Sequence, residues 1–203
     1  MAVSWRVGLY SRAIRQHRPT LIPAATLANP STKPLAINGI PGLDLAVDDE
    51  TRREFRKTLG QFATGVTVMT SLTPAGEHVG LTVNSFNSLS LEPPLILWSI
   101  ANTTPAFACF RLHDPFAVNV LSGDQEALAR QMAQSSTDKF KDVPLHEGRS
   151  GVPLLDGCIA YLECDVWARY PGGDHDIIVG NVQRIFNIGK APLLFHGGAF
   201  RSF

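Results

Sequence analysis

The segment Gly80-Leu-Thr-Val-Asn-Ser-Phe-Asn-Ser-Leu-Ser-Leu-Glu-Pro-Pro-Leu-Ile-Leu-Trp-Ser-Ile-Ala-Asn-Thr-Thr104 sets two β-type runs on either side of a Pro-Pro pair. Thr82, Val83 and Phe86 suit the first run, and Leu95, Ile96, Leu97, Trp98 and Ile100 suit the second. Short hydroxyl and amide side chains fill the remaining places, among them Asn84, Ser85, Ser99, Asn102, Thr103 and Thr104. Such neutral donors beside stiff strands can hold an anion or a polar heteroaromatic ring. A β-hairpin with ordinary polar outward positions explains the same alternation.

Working outward, further strands surround this segment. Asp48, Asp49 and Glu50 place acids at a helix start, and Phe55, Leu59 and Phe62 recur as one apolar stripe. Val66–Leu72 reads as a strand, Pro74–Gly76 as a turn, and His78 begins the next strand. Thr104 before Pro105 signals a helix start with a side-chain cap. Phe116–Leu121 is a strand, and Ser122-Gly-Asp-Gln125 matches a capping box for a helix through Leu128 and Met132. Ser135–Lys141 suggests a further helical turn, and Val143–Pro153 a loop. Cys158–Trp167 and Ile177–Phe186 alternate as strands around a tight loop at Tyr170–His175, and Pro192–Phe195 is a last short strand. Six or seven antiparallel strands with few helices predict a closed barrel with helical decoration. No GxGxxG follows a first strand and no P-loop motif occurs, which argues against a Rossmann domain or a P-loop.

The bulk numbers narrow the class. The chain has 203 residues, enough for a domain with a real core. Charged residues make up 18%, below the usual quarter, so covered surface and a subunit partner are expected. A formal net charge of zero gives no field for nucleic acid, and no apolar run reaches membrane-spanning length. Cys109, Cys158 and Cys164 form no CxxC pair, which points to reduced thiols and a cytoplasmic location. Cys158 and Cys164 are expected on one strand face, packing a core. Residues 1–47 carry Arg6, Arg12, Arg15, Arg18 and Lys33 before the first acid, with five prolines. That extension reads as a disordered tail, an arm on a neighbour, or a transit segment. Residues 48–203 form the folded domain. Glu163 and Asp165 are expected to be solvated rather than metal-binding.

Four pieces in order carry a family likeness. They are Phe55-Arg-Lys-Thr-Leu-Gly-Gln-Phe-Ala-Thr-Gly-Val-Thr-Val-Met-Thr70, Gly80–Pro94, Gly172-Gly-Asp-His175 and Pro192-Leu-Leu-Phe-His-Gly-Gly198. Over this span the chain resembles the short-chain flavin reductases, reductase components of two-component flavin-dependent monooxygenases. The resemblance implies an FMN-binding split β-barrel, antiparallel and Greek-key-like, acting as a homodimer with flavin near the subunit interface. It implies an NAD(P)H:flavin oxidoreductase that reduces FMN or FAD and supplies reduced flavin to a separate oxygenase. Other readings of the same barrel are reduction of a corrinoid or an iron chelate, or non-enzymatic flavin binding.

The resemblance also assigns positions. Thr82, Val83, Asn84 and Ser85 would lie beside the ring and ribityl chain, and Ser99, Ile100, Ala101 and Thr104 on the phosphate side. Thr104 as a cap would set phosphate at a helix N-terminus. His175, with Phe195, His196, Gly197 and Gly198, would meet the nicotinamide, and Phe200 would neighbour the ring. Relatives carry Lys or Arg near Asn102–Pro105; this chain has none there. That leaves FMN and FAD both open, with Arg111, Lys139 and Arg149 as candidate phosphate contacts. The absence of an Arg cluster favours NADH over NADPH.

Overall fold

A computed structural model describes residues 36–45, 48–136 and 138–202. The chain divides into Met1–Asp44 and Leu45–Phe203. In the first unit, β1 (Ala36–Ile37) and β2 (Ile40–Pro41) form a small hairpin. Its turn residues Asn38 and Gly39 both have positive φ, as a tight Asn-Gly hairpin requires. Sequence reading assigned this region to an extension, as an arm, a disordered tail or a transit segment. Residues 1–35, 46 and 47, where the rest of that extension falls, lie outside the described residues.

The second unit opens with α1 (Asp49–Leu59), and the Asp48 carboxylate accepts the Thr51 N–H at 2.8 Å. That bond, the largest cause, holds the Asp48 carboxyl below its ordinary value. The helix exists as expected, but its apolar stripe is not in the core: Phe55 and Leu59 are exposed, and Phe62, beyond the helix end, is 76% exposed. Then follow β3 (Thr64–Gly65), β4 (Thr67–Leu72), β5 (His78–Val83), β6 (Asn87–Leu91) and β7 (Pro94–Ala101). A 3-10 segment (Pro105–Cys109) leads to β8 (Pro115–Val120) and α2 (Glu126–Ala133). After it come β9 (Leu145–Glu147), β10 (Pro153–Leu155), β11 (Ala160–Gly172), β12 (His175–Asn187), β13 (Leu194–His196) and β14 (Ala199–Arg201).

Seven strands make one antiparallel sheet in the order β5-β4-β8-β11-β12-β7-β6. The connection from β7 to β8 joins strands that are not neighbours, and β12 pairs with β7, so the order is not a plain meander. Nor is the barrel closed as expected: β5 and β6 are the terminal strands, with no ladder between them. Asn84–Phe86 leave strand geometry there. α2 lies along β5, where the Thr82 hydroxyl donates to Ala129 O at 2.7 Å. One core gathers Val66, Leu121, Met132, Leu155 and Tyr161; a second gathers Trp98, Phe110, Phe116, Val166 and Ile178. Trp98 and Phe110 meet edge to face at 4.9 Å.

Several local expectations change. Val143–Pro153 includes β9, which pairs with β10 instead of forming a loop. Ser135–Lys141, without Thr137, forms turns rather than a helix. Only one arm of the expected capping box forms, Gln125 Oε1 accepting the Ser122 N–H at 3.0 Å, because the Ser122 hydroxyl turns to Asp124. Cys158 and Cys164 are both buried but in different cores, because Cys158 precedes β11 and falls outside the alternation that sets Leu162, Cys164 and Val166 on the second core. Glu163 is not solvated. It is 2% exposed, accepts the Arg149 N–H, and lies 3.0 Å from Arg184 Nε in an ion pair lacking hydrogen-bond alignment. Glu163 follows buried Tyr161 onto the face of β11 that Gly148 and Arg149 cover.

Candidate functional site

The site is built where the sheet is open. β5 ends at Val83, and three residues later β6 begins. Across this break the Ser85 hydroxyl accepts the Ser99 N–H at 3.0 Å and donates to Ser99 O at 3.3 Å. One small side chain thus pins the first hydroxyl-bearing segment to the second. On its other edge β7 pairs with β12, and the register sets His175 opposite Ala101 and Ile177 opposite Ser99. Gly173 has φ +78°, which lets β11 turn into β12 over two residues, Gly173 and Asp174. The expected longer loop is therefore a tight hairpin. Asn102 N–H donates to Asp174 O at 2.9 Å and fastens that hairpin to the end of β7.

His175 is half-buried, and its Nδ1 lies 2.7 Å from Asp174 Oδ1. The hydrogen bond from His175 is the first cause holding the Asp174 carboxyl below its ordinary value. The pair fixes the ring's orientation and leaves Nε2 for another partner. Behind it Arg169 ties three elements together. Its guanidinium stands 4.2 Å from the Phe107 ring centroid, donates to Phe110 O at 2.9 Å, and pairs with Asp176 at 2.8 Å. Sequence reading missed Arg169; the signal was a pair of opposite charges, seven residues apart, flanking the Gly172-Gly173 turn.

Thr82 and Thr104 also line a cleft of about 1000 Å³ between β5, the 3-10 segment and residues 133–136 and 138–141. A second cavity of about 410 Å³, beside His146, Tyr161, Arg184 and Phe186, holds none of the residues assigned from sequence. The larger cleft has room for a flavin-sized ligand. Its donor set, threonine hydroxyls and the Lys139 ammonium, suits a phosphate-bearing one.

Several assigned positions need adjustment. Val83 is half-buried against the second core and Ile100 is 1% exposed, so the Ile100 side chain cannot line a ligand. The Thr82 hydroxyl's proton is committed to Ala129. Thr104 makes no side-chain cap bond, and Pro105–Cys109 is a five-residue 3-10 segment, too short for the expected helix-dipole anion site. Arg149 is paired with Asp165 at 2.7 Å. Arg111 is exposed. Of the three candidate phosphate contacts, Lys139 lines the cleft.

Phe195, His196, Gly197 and Gly198 are not joined to this group by any hydrogen bond among the described residues. They form the β13–β14 hairpin, with φ positive at both Gly197 and Gly198. β13 pairs with β3, Gly197 N–H donates to Gly60 O at 2.8 Å, and Phe195 and Phe200 pack on the first core. Phe200 also lies under the Arg130 guanidinium at 4.9 Å.

With this geometry in hand, comparison with known proteins is decisive. Residues 59–203 match the flavin reductase like domain. The chain belongs to that family. It is 44% identical over 154 residues to the FMN reductase (NADH) of Agrobacterium fabrum, covering 76% of this chain and 87% of that protein. It is 38% identical to an NADH-dependent flavin reductase of a Rhodococcus species, covering 75% and 86%. The solved NADH:FAD oxidoreductase of Streptomyces globisporus, in complex with NAD and FAD fragments, superposes with a TM-score of 0.72 at 40% identity, covering 79% and 97%. The split barrel expected from sequence is the observed fold.

Proposed function

We propose that this member of the flavin reductase family oxidises NADH and passes the hydride to FMN or FAD, releasing reduced flavin to a separate oxygenase component. The observation that carries the reading is the meeting of Ser85, Ser99, Ala101 and His175 at the open edge of the barrel. Flavin, when bound, supplies the hydride acceptor. The chain's own residues bind and orient. The Ser85–Ser99 pin holds the two hydroxyl segments at fixed spacing. Asn84, Ser99, Ala101 and Thr104 offer main-chain and side-chain polar groups, and Thr82 and Val83 form the wall. His175, held by Asp174, presents a flat ring as a shelf for nicotinamide. Hydride transfer needs close stacking and little acid–base help, so a shelf is sufficient.

The relatives support the choice of dinucleotide and the oxygenase partner. Those named above are NADH enzymes by name, and a Rhodococcus jostii relative at 37% identity is the reductase subunit of a flavin-dependent monooxygenase. The FMN and FAD names among the relatives support use of either flavin. We place the working form as a homodimer whose hairpin Phe195–Gly198 completes the neighbour's nicotinamide site. Exposed Phe55, Leu59 and Phe62 and the 95% exposed Leu91 supply apolar surface for a second copy. The domain is residues 48–203. Three buried free thiols fit the reducing cytoplasm.

Steady-state NADH consumption is the test. Consumption that requires both protein and free FMN or FAD is expected. NADH left intact with either flavin contradicts the proposal, and tightly held flavin that turns over only with another acceptor moves the reading to a different reductase.

A further inference from the structure

The large cleft contains a cation whose charge no acid answers. Lys139 Nζ donates to Gly80 O and Met132 O, each at 3.0 Å, and both acceptors are neutral carbonyls. Among the described residues no carboxylate pairs with it, although Glu77 and Asp138 also line the cleft. An ammonium has three N–H donors, so two bonds leave one unspent. Burial lowers the lysine's pKa, the signature of a charge short of compensation.

The ammonium is also held in place. Gln131 Nε2 donates to Lys139 O at 2.9 Å and Lys141 O at 3.2 Å. Next to it Phe140 packs so closely over β5 that a Cβ on Gly80 would meet the ring at 2.9 Å. His78 meets the same ring edge-on at 5.3 Å. Thr103 and Thr104 line the same cleft from the end of β7. A half-buried cation held by two carbonyls, in a cleft that threonine hydroxyls also line, can seat an anion.

We propose that Lys139 is the phosphate-recognition residue of this site, its ammonium taking the phosphate of bound FMN or the pyrophosphate of FAD and so setting the preference for phosphorylated flavin over riboflavin. This rests on the flavin-reductase reading above. The Lys139 charge stands in for a cation that residues 102–105 do not provide.

The test is a fluorescence titration of the full chain with riboflavin and with FMN, on the wild type, Lys139→Met and Lys139→Arg. In Lys139→Met the Kd for FMN is expected to rise about tenfold while that for riboflavin moves less than about twofold, and Lys139→Arg is expected to recover most of the FMN affinity. Sodium pyrophosphate should weaken FMN binding to the wild type and leave riboflavin binding unchanged, a readout that survives even if Lys139→Met does not fold. Equal loss of riboflavin and FMN would show a merely structural latch and overturn the assignment. So would unchanged FMN binding with a raised KM for NADH, or FMN binding indifferent to pyrophosphate. Wild-type protein that binds neither flavin defeats the flavin reading itself, an outcome distinct from all of these.

Discussion

Two regions assigned to one site behave differently in this chain. Ser85, Ser99, Ala101 and His175 are locked together by strand register and by a serine that bridges the opening of the barrel. Phe195–Gly198 sit on a separate three-stranded sheet, tied to Gly60 and to the first core. The first group is a consequence of the fold of one chain. The second is also positioned by that fold, but apart from the first, and under the dimer proposal it completes a neighbour's site. Under the proposed function, the sheet register sets the flavin residues and His175, and the dimer would add the Phe195–Gly198 hairpin.

The largest expected effect comes from breaking the register itself. A Cβ at Gly180 would meet Phe116 at 2.5 Å and Ile96 at 3.0 Å. Gly180→Val should cost roughly 2–3 kcal/mol by overpacking, seen as a lower denaturation midpoint, and should lose flavin and NADH binding together. Retained flavin binding at unchanged stability would mean that the β12–β7 pairing does not hold the site.

Next is a complementation experiment. His175→Ala should raise the KM for NADH about tenfold with flavin affinity nearly unchanged. If the hairpin of one chain serves its neighbour, a mixture of His175→Ala and His196→Ala chains contains dimers with one intact site and recovers about a quarter of wild-type activity at low NADH. No recovery would place both histidines in the same chain's site. Smaller still, Ser85→Ala removes two exposed hydrogen bonds. It should weaken flavin binding several-fold and lower stability by less than about 1 kcal/mol. A large stability loss would make Ser85 a structural strut instead.

The smallest effect is a background against which both regions are read. Burial pushes the Cys158 thiol up to about 12, and raises Cys109 and Cys164 as well. A raised value in the folded state means that the unfolded chain releases protons first. The stability these thiols contribute is therefore complete below their ordinary value of 9.0 and is lost as pH climbs toward 12. Urea midpoints should stay level through neutral pH and fall above about pH 9, and thiol reagents should react only with unfolded protein. Rapid labelling of folded protein near neutral pH would contradict this burial.

Much of the barrel was legible in the sequence because half-buried strands announce themselves by alternation, as in Cys158–Trp167 and Ile177–Phe186. What misled was context beyond the strand. The Phe55–Phe62 stripe looks like a core face, yet whether a partner or the same chain covers it is not written in its spacing. Glu163 reads as outward-facing, but its face of β11, shared with Tyr161, is covered by Gly148 and Arg149. The hairpin at Asn38–Gly39 was readable from its dipeptide and was passed over. In the candidate site, Thr82, Ser99 and His175 were grouped from sequence only because the family likeness joined distant segments. The seat of Lys139 depends on tertiary placement, which no local pattern carries.

The most direct test is anaerobic mixing of the protein and FMN with NADH labelled by deuterium at one or the other C4 position. An enzyme that stacks nicotinamide on flavin must take hydrogen from one face alone. The account predicts loss of label from a single prochiral position, with a primary isotope effect on bleaching of the flavin band. Loss from both positions alike, or a flavin band that stays unbleached, would contradict it.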